Sequence, residues 1–143
     1  MNDFIKIEQE PSIVAAIRDA EARTSGEIRV YITDRWVFRI ESHARKVFRK
    51  LGLENTKRRN AALICVFSRR KRFTILGDEG INQFVEETYW ESLAGRFSQR
   101  LHETSHAEAL RELIESIGNR MARHWPPEES NPDELPNVIV RDS

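Results

Sequence analysis

Seven consecutive apolar residues, Ala61-Ala62-Leu63-Ile64-Cys65-Val66-Phe67, stand between the charged stretch that ends in Arg58-Arg59-Asn60 and the one that begins Ser68-Arg69-Arg70. A continuous run of this length bounded by charges reads as a strand buried on both faces, at the centre of a sheet. Such a strand has to be covered twice, so the chain needs a layer on each side of the sheet. Upstream, residues 27–33 alternate, with Ile28, Val30 and Ile32 set against Arg29 and Tyr31. That pattern predicts a strand covered on one side and lying nearer an edge. Between the two, residues 42–51 carry Ala44, Val47, Phe48 and Leu51 on one helical face, with Gly52 as the residue that ends the helix. Strand, helix and buried strand form a right-handed crossover unit whose strands are parallel. A short charged turn at 68–72 leads straight into residues 73–76, which return antiparallel to the central strand.

The rest of the chain supplies the covering layers. Ile13, Ala16, Ile17 and Ala20 recur at helical spacing over residues 11–23, with Pro11 in the first turn. From residue 81 to about residue 125 the pattern is helical throughout, broken once between His102 and His106, and Pro126-Pro127 stops it. The expected architecture is an α/β fold, a three-layer α/β/α sandwich around a small mixed sheet of two parallel strands plus an antiparallel hairpin partner. A chain of 143 residues holds one ordinary core. Residues 1–127 are assigned to one domain and 128–143 to a polar tail, in which Leu135 and Val138-Ile139-Val140 dock back on the body or pair as a short strand.

Composition narrows the function. The charged residues, 32% of the chain, cancel to a formal net charge of zero, so nothing draws the whole molecule toward nucleic acid or a membrane surface. Arg69, Arg70, Lys71 and Arg72 lack the interleaved aromatics of a base-stacking platform and read as a solvated turn. The single cysteine, Cys65, lies in the apolar run and reads as a core residue. No basic segment followed by a long apolar one opens the chain, and no window reaches membrane-spanning length. A cytoplasmic location, with no membrane span and no nucleic-acid partner, is the expectation. Tyr89, Trp90 and Phe97 at helical spacing read as core, and His102 with His106, lacking a third ligand nearby, as a helix boundary rather than a metal pair.

Strand polarity assembles the candidate site. If the first two strands are parallel and the third antiparallel, the beginnings of the first two share a rim with the end of the third. Ser25-Gly26-Glu27, Arg59-Asn60 and Gly77-Asp78-Glu79-Gly80 then converge, on strands roughly 5 Å apart. Glu27, Asn60, Asp78 and Glu79 bring three carboxylates and an amide, hard oxygen donors that suit calcium, or magnesium, rather than zinc or copper. Two other roles stay open for the same residues. Asp78 can simply cap the following helix, and Arg58 and Arg59 can neutralise the acids directly.

Thr24-Ser25-Gly26-Glu27-Ile28, Arg59-Asn60-Ala61-Ala62-Leu63-Ile64, Ile75-Leu76-Gly77-Asp78-Glu79-Gly80-Ile81-Asn82, Trp90 and Glu134-Leu135-Pro136 together resemble the TPM-domain family. Its members include thylakoid-lumen proteins of photosystem II repair and many bacterial proteins. The resemblance implies an α/β/α sandwich, divalent-cation binding with calcium foremost, and an acid phosphatase activity reported for some members. It places the family's acidic motif on Asp78 and Glu79 and its loop asparagine on Asn60. Many relatives carry an acid before that asparagine and a glycine after it, where this chain has Arg59 and Ala61. Many also have a signal peptide and a C-terminal anchor that this sequence does not show.

Three functions follow as expectations. The first is a cation-binding domain without chemistry of its own. The second is a metal-assisted phosphatase in which Asp78 or Glu79 holds the ion and Arg59 clamps the phosphate; against it, the sequence has no phosphate-cradling glycine loop, cysteine nucleophile motif or Asp-x-Asp pair. The third is a protein-interaction module, for assembly or repair of membrane complexes, that presents the Trp36-Val37-Phe38 loop or the acidic tail.

Overall fold

The central apolar run forms β2, Ala61–Phe67, in a computed structural model that describes residues 4–128 and 139–142. All seven of its residues are buried. Ala62, Ile64 and Val66 enter one apolar cluster, while Ala61, Leu63, Cys65 and Phe67 enter another on the opposite face. The period-2 geometry of a strand sends alternate side chains to opposite sides, so one uninterrupted run builds both cores. Burial pushes the Cys65 thiol up to about 12, as expected for an inert core residue.

Before β2 come α1, Glu10–Glu21, then β1, Glu27–Thr33, and α2, Ile40–Lys50. Pro11 lies in the first turn of α1, where its missing N–H costs no helical hydrogen bond. Gly52 takes a left-handed conformation (φ 74°) just past α2, the stop expected there. β1 and β2 pair in parallel, Glu27 opposite Ala61 and Thr33 opposite Phe67. β3, Arg72–Gly77, returns antiparallel to β2 with Ala62 opposite Gly77.

The sheet has four strands rather than three, in the order β3-β2-β1-β4. β4, Ile139–Asp142, pairs in parallel with β1 from Val30 opposite Ile139 to Thr33 opposite Asp142. Of the two roles expected within the polar tail, docking on the body or pairing as a short strand, Ile139–Asp142 takes the second and forms an edge strand of the sheet. Leu135, Val138 and the Glu134-Leu135-Pro136 motif lie outside the described residues. Nor is β1 a half-covered strand near an edge: it sits between two neighbours and all seven of its residues are buried. Its polar alternates are tolerated inside because they are paired. The Tyr31 hydroxyl donates to Asp142 Oδ2 on β4 (2.6 Å), and Arg29 pairs with Glu21 and Glu27 (2.7 and 3.0 Å). The β1 edge ahead of β4 is covered by Glu21, whose Oε2 accepts the Ile28 N–H (2.7 Å).

After β3 the chain forms α3, Glu79–Asn82, α4, Glu87–Glu103, and α5, His106–Ala122. The break at His102 to His106 falls where expected, with the Ser105 hydroxyl accepting the Glu108 N–H as N-cap. His106 stacks on Phe4 and its Nδ1 lies 2.9 Å from the Phe4 carbonyl oxygen, so this histidine serves packing. A second break, between Asn82 and Glu87, was not expected. Ile81 and Val85, four apart, both turn into the core, and this fixes a single helical turn at the rim before α4 sets off. Helices α1, α4 and α5 cover one face of the sheet and α2 the other. Gly118 lets α1 and α5 approach closely, since a Cβ there would lie 2.6 Å from the Ala20 Cβ.

Candidate functional site

The three loops do meet. At the rim, Glu27 N–H donates to the Asn60 carbonyl (3.4 Å), Asp78 N–H to the Ala61 carbonyl (2.9 Å), and Gly80 N–H to the Arg59 carbonyl (2.9 Å). Gly80 is dictated by this approach, for a Cβ there would lie 2.4 and 2.5 Å from the Arg58 and Arg59 carbonyl oxygens.

What the side chains do once there is decided by the arginines. Arg59 is held at φ 52°, in the left-handed region, and its guanidinium turns back onto the rim. Its Nε donates to Asp78 Oδ2 (2.6 Å), its Nη2 to Asp78 Oδ1 (2.9 Å) and its Nη1 to Glu79 Oε1 (3.2 Å). The fork matches the carboxylate in two places, the strongest form of such a pair. These bonds to Asp78 hold the guanidinium pKa above its ordinary value. Asp78, buried, also accepts the Glu79 N–H through Oδ1 (2.8 Å), which makes it the N-cap of α3.

Glu27 and Asn60 share the rim but face elsewhere. Glu27, 3% exposed, has its Oε2 3.0 Å from Arg29 Nη2 on the same face of β1. The Asn60 side-chain amide donates to Ser25 Oγ (3.2 Å). Asp78 and Glu79 therefore come together on Arg59, whereas Glu27 and Asn60 each belong to a separate contact. As arranged, both Asp78 oxygens accept from Arg59, one of them also from the helix N–H, and the Asn60 side chain turns its Nδ2 to Ser25. Among the described residues no group of three or more histidine, cysteine, aspartate or glutamate side chains is placed to hold a metal ion. Arg29 is the residue that sequence reasoning missed. Its signal was present, because residues two apart on a strand, here Glu27 and Arg29, lie on one face.

At the opposite end of the sheet the Trp36-Val37-Phe38 loop is exposed at both aromatics, Trp36 by 58% and Phe38 by 86%, while Val37 is buried in the α2 cluster. Arg70 braces it. Its Nη1 donates to the Val37 and Phe38 carbonyls (2.9 and 3.0 Å), and its guanidinium carbon lies 5.3 Å from the centre of the Trp36 ring. One residue of the arginine-rich turn is thus a structural brace, and the loop it holds presents two aromatic side chains to solvent.

A mixed sheet with α1, α4 and α5 on one face, α2 on the other, and three loops locked together at one rim defines an α/β/α sandwich. The TPM domain family model matches residues 1–120, and the chain belongs to that family. Among solved structures it is similar to the BA42 protein of the psychrophilic bacterium Bizionia argentinensis. The two are 37% identical with a TM-score of 0.88, over 97% of this chain and 96% of that one. It also shares the fold of an N-terminal domain from a P. gingivalis protein (17% identity, TM-score 0.67, 81% of this chain and 75% of that one). A third likeness is the N-terminal domain of a Corynebacterium glutamicum protein (16% identity, TM-score 0.60, 96% and 81%). No curated protein matches the sequence.

Proposed function

We propose that this TPM domain is a protein-binding module whose contact surface is centred on Trp36 and Phe38. The observation that carries the reading is the exposure of both aromatics on a loop tied down by Arg70. Aromatic side chains offer large contact area for little lost conformational freedom, and a braced loop has already given up most of its own. A photoreactive phenylalanine analogue at position 38, in cells making the protein at native level, tests it. A discrete crosslinked partner that disappears with Trp36→Ala and weakens with Arg70→Ala is the expected result. No crosslink, or the same products from a probe at the exposed position Glu115, rejects the loop.

A divalent-cation site at the rim is the second reading, and one observation favours it. Asp78 and Glu79 both direct a carboxylate at the same guanidinium, which is itself 39% exposed, so calcium or magnesium that displaced Arg59 would meet two oxygen ligands. Binding to the folded state alone raises its stability. On this reading millimolar calcium raises the melting temperature of chelator-treated protein, and raises that of Arg59→Gln further because the competing cation is gone. An unchanged melting temperature in both proteins rejects it. The metal-assisted phosphatase reading depends on that same ion and falls with it.

A further inference from the structure

β3 is an edge strand, and its outer edge faces a groove. Asp78 N–H donates to the Ala61 carbonyl, which continues the β2–β3 register by one pair, so residue 78 lies at a hydrogen-bonded position. In an antiparallel ladder such positions alternate. Residues 72, 74 and 76 therefore direct their backbone groups to β2, while Phe73, Ile75 and Gly77 direct theirs outward. The Gly77 carbonyl accepts the Asn82 side-chain amide (3.0 Å). The N–H groups of all three residues, and the carbonyls of Phe73 and Ile75, have no partner among the described residues. The groove along this edge has a volume of about 750 Å³. Arg45, Phe48 and Arg49 of α2 wall it on one side, and Glu87, Trp90 and Glu91 of α4 on the other.

We infer that this groove takes an extended peptide segment that adds to the sheet as a fifth strand beside β3. The free N–H and carbonyl groups supply the main-chain pairing, as in other strand-addition sites. β3 spans roughly 20 Å, so five or six residues cover it. The walls state the side-chain chemistry. Arg49 on the α2 wall and Glu87 and Glu91 on the α4 wall have no ion pair among the described residues. Alternate side chains of an added strand point to opposite walls. The favoured segment is therefore acidic on the face toward α2, basic on the face toward α4, and apolar at its middle, where Ile75, Leu76 and Trp90 line the floor. A bare strand suits the space, because α2 and α4 flank the edge and hold back the sheet of a second copy, which carries its own helices.

The inference goes beyond the Trp36 reading, since it gives a partner segment to a surface separate from that loop. Its test is titration of the ¹⁵N-labelled full chain with the blocked peptide acetyl-Glu-Lys-Val-Val-Glu-Lys-amide at up to millimolar concentration. The expected result is shifts confined to the amides of Phe73, Ile75 and Gly77 and the walls, with slowed hydrogen exchange at those three amides. The peptide N-methylated at alternate residues should bind at least tenfold more weakly, because one of its edges can no longer donate. Ile75→Pro removes an outward N–H and leaves the ladder to β2 intact, so it too should lose binding; the N-methylated peptide decides the matter if that variant does not fold. Scattered or absent shifts, or equal binding of the N-methylated peptide, overturn the inference. So does a free protein whose Phe73 and Ile75 amides are already protected in a dimer, since a second copy then holds the edge. Trp36→Ala should leave the peptide titration unchanged, so a failed groove and a failed aromatic loop are told apart.

Discussion

A methyl group on Gly80 would collide with two backbone carbonyls, whereas one on Gly95, in the exposed part of α4, would meet nothing within 4 Å. The same chemical change should therefore have opposite signs at the two positions. Gly80→Ala forces the 58–59 loop away from α3 and is expected to destabilise the protein by about 1–3 kcal/mol. Gly95→Ala is expected to stabilise by about 0.5–1 kcal/mol, through helix propensity alone. Urea unfolding of the two variants checks both signs. Gly80 also shows how a residue reads at two levels. In the sequence it marks the loop after the third strand; in the fold its φ is ordinary, and what it supplies is the room for two loops to touch.

At the scale of elements, the most informative contact is the one that holds β4 to its neighbours. The Tyr31 hydroxyl donates to Asp142 on β4 and lies 3.0 Å from His43 Nε2 on α2. Burial, with the hydrogen bond to Asp142, pushes the Tyr31 hydroxyl pKa far above its ordinary value. Burial also lowers the pKa of His43, against the opposing pull of the Asp142 carboxylate. A histidine whose folded-state pKa is depressed takes up its proton more readily in the unfolded chain. Its contribution to stability is thus complete above about pH 6.5, the ordinary histidine value, and is lost as pH falls below that value toward the folded pKa. Protection of the Val140 and Arg141 amides against hydrogen exchange, corrected for intrinsic rates, should decline from pH 7 to pH 5. His43→Gln should flatten that decline.

For the whole molecule, β4 joins the two ends of the described chain. Arg141 pairs with Glu10 of α1 (2.6 Å) and donates to the Ile5 carbonyl (3.0 Å), while β4 covers the edge of β1 from Val30 to Thr33. Removing residues 139–143 would expose that edge beside side chains that are 0–2% exposed in the intact domain. A lower melting temperature and concentration-dependent association are expected, because an uncovered apolar strand is a template for pairing with another chain. Light scattering during thermal unfolding measures both. Intact protein and shortened protein associating alike would show that β4 is dispensable.

How much of this could be read beforehand differs from one segment to the next. Ala61–Phe67 was legible to the residue, since an unbroken apolar run has one economical place in a sheet. The convergence of the 27, 60 and 78 loops was legible too, because it follows from strand polarity alone. The position of β1 was not. Arg29 and Tyr31 looked like a solvent-facing stripe, and only partners 2 to 111 residues away along the chain made their burial tolerable. For Ile139–Asp142 the sequence left two roles open, docking on the body or pairing as a short strand, because four residues carry too weak a periodic signal to choose between them or to name β1 as the partner.

The amino-acid order by itself determined the first three strands and the main helical stretches, which way those strands run, and hence which acidic loops share a rim. Short-range periodicity and chain connectivity are enough for that. The tertiary structure alone decided which charge answers which: Arg59 for Asp78 and Glu79, Arg29 for Glu27. Charge pairing in a partly buried rim turns on separations of a few ångströms between segments remote in sequence, and those distances come into being only when the layers pack.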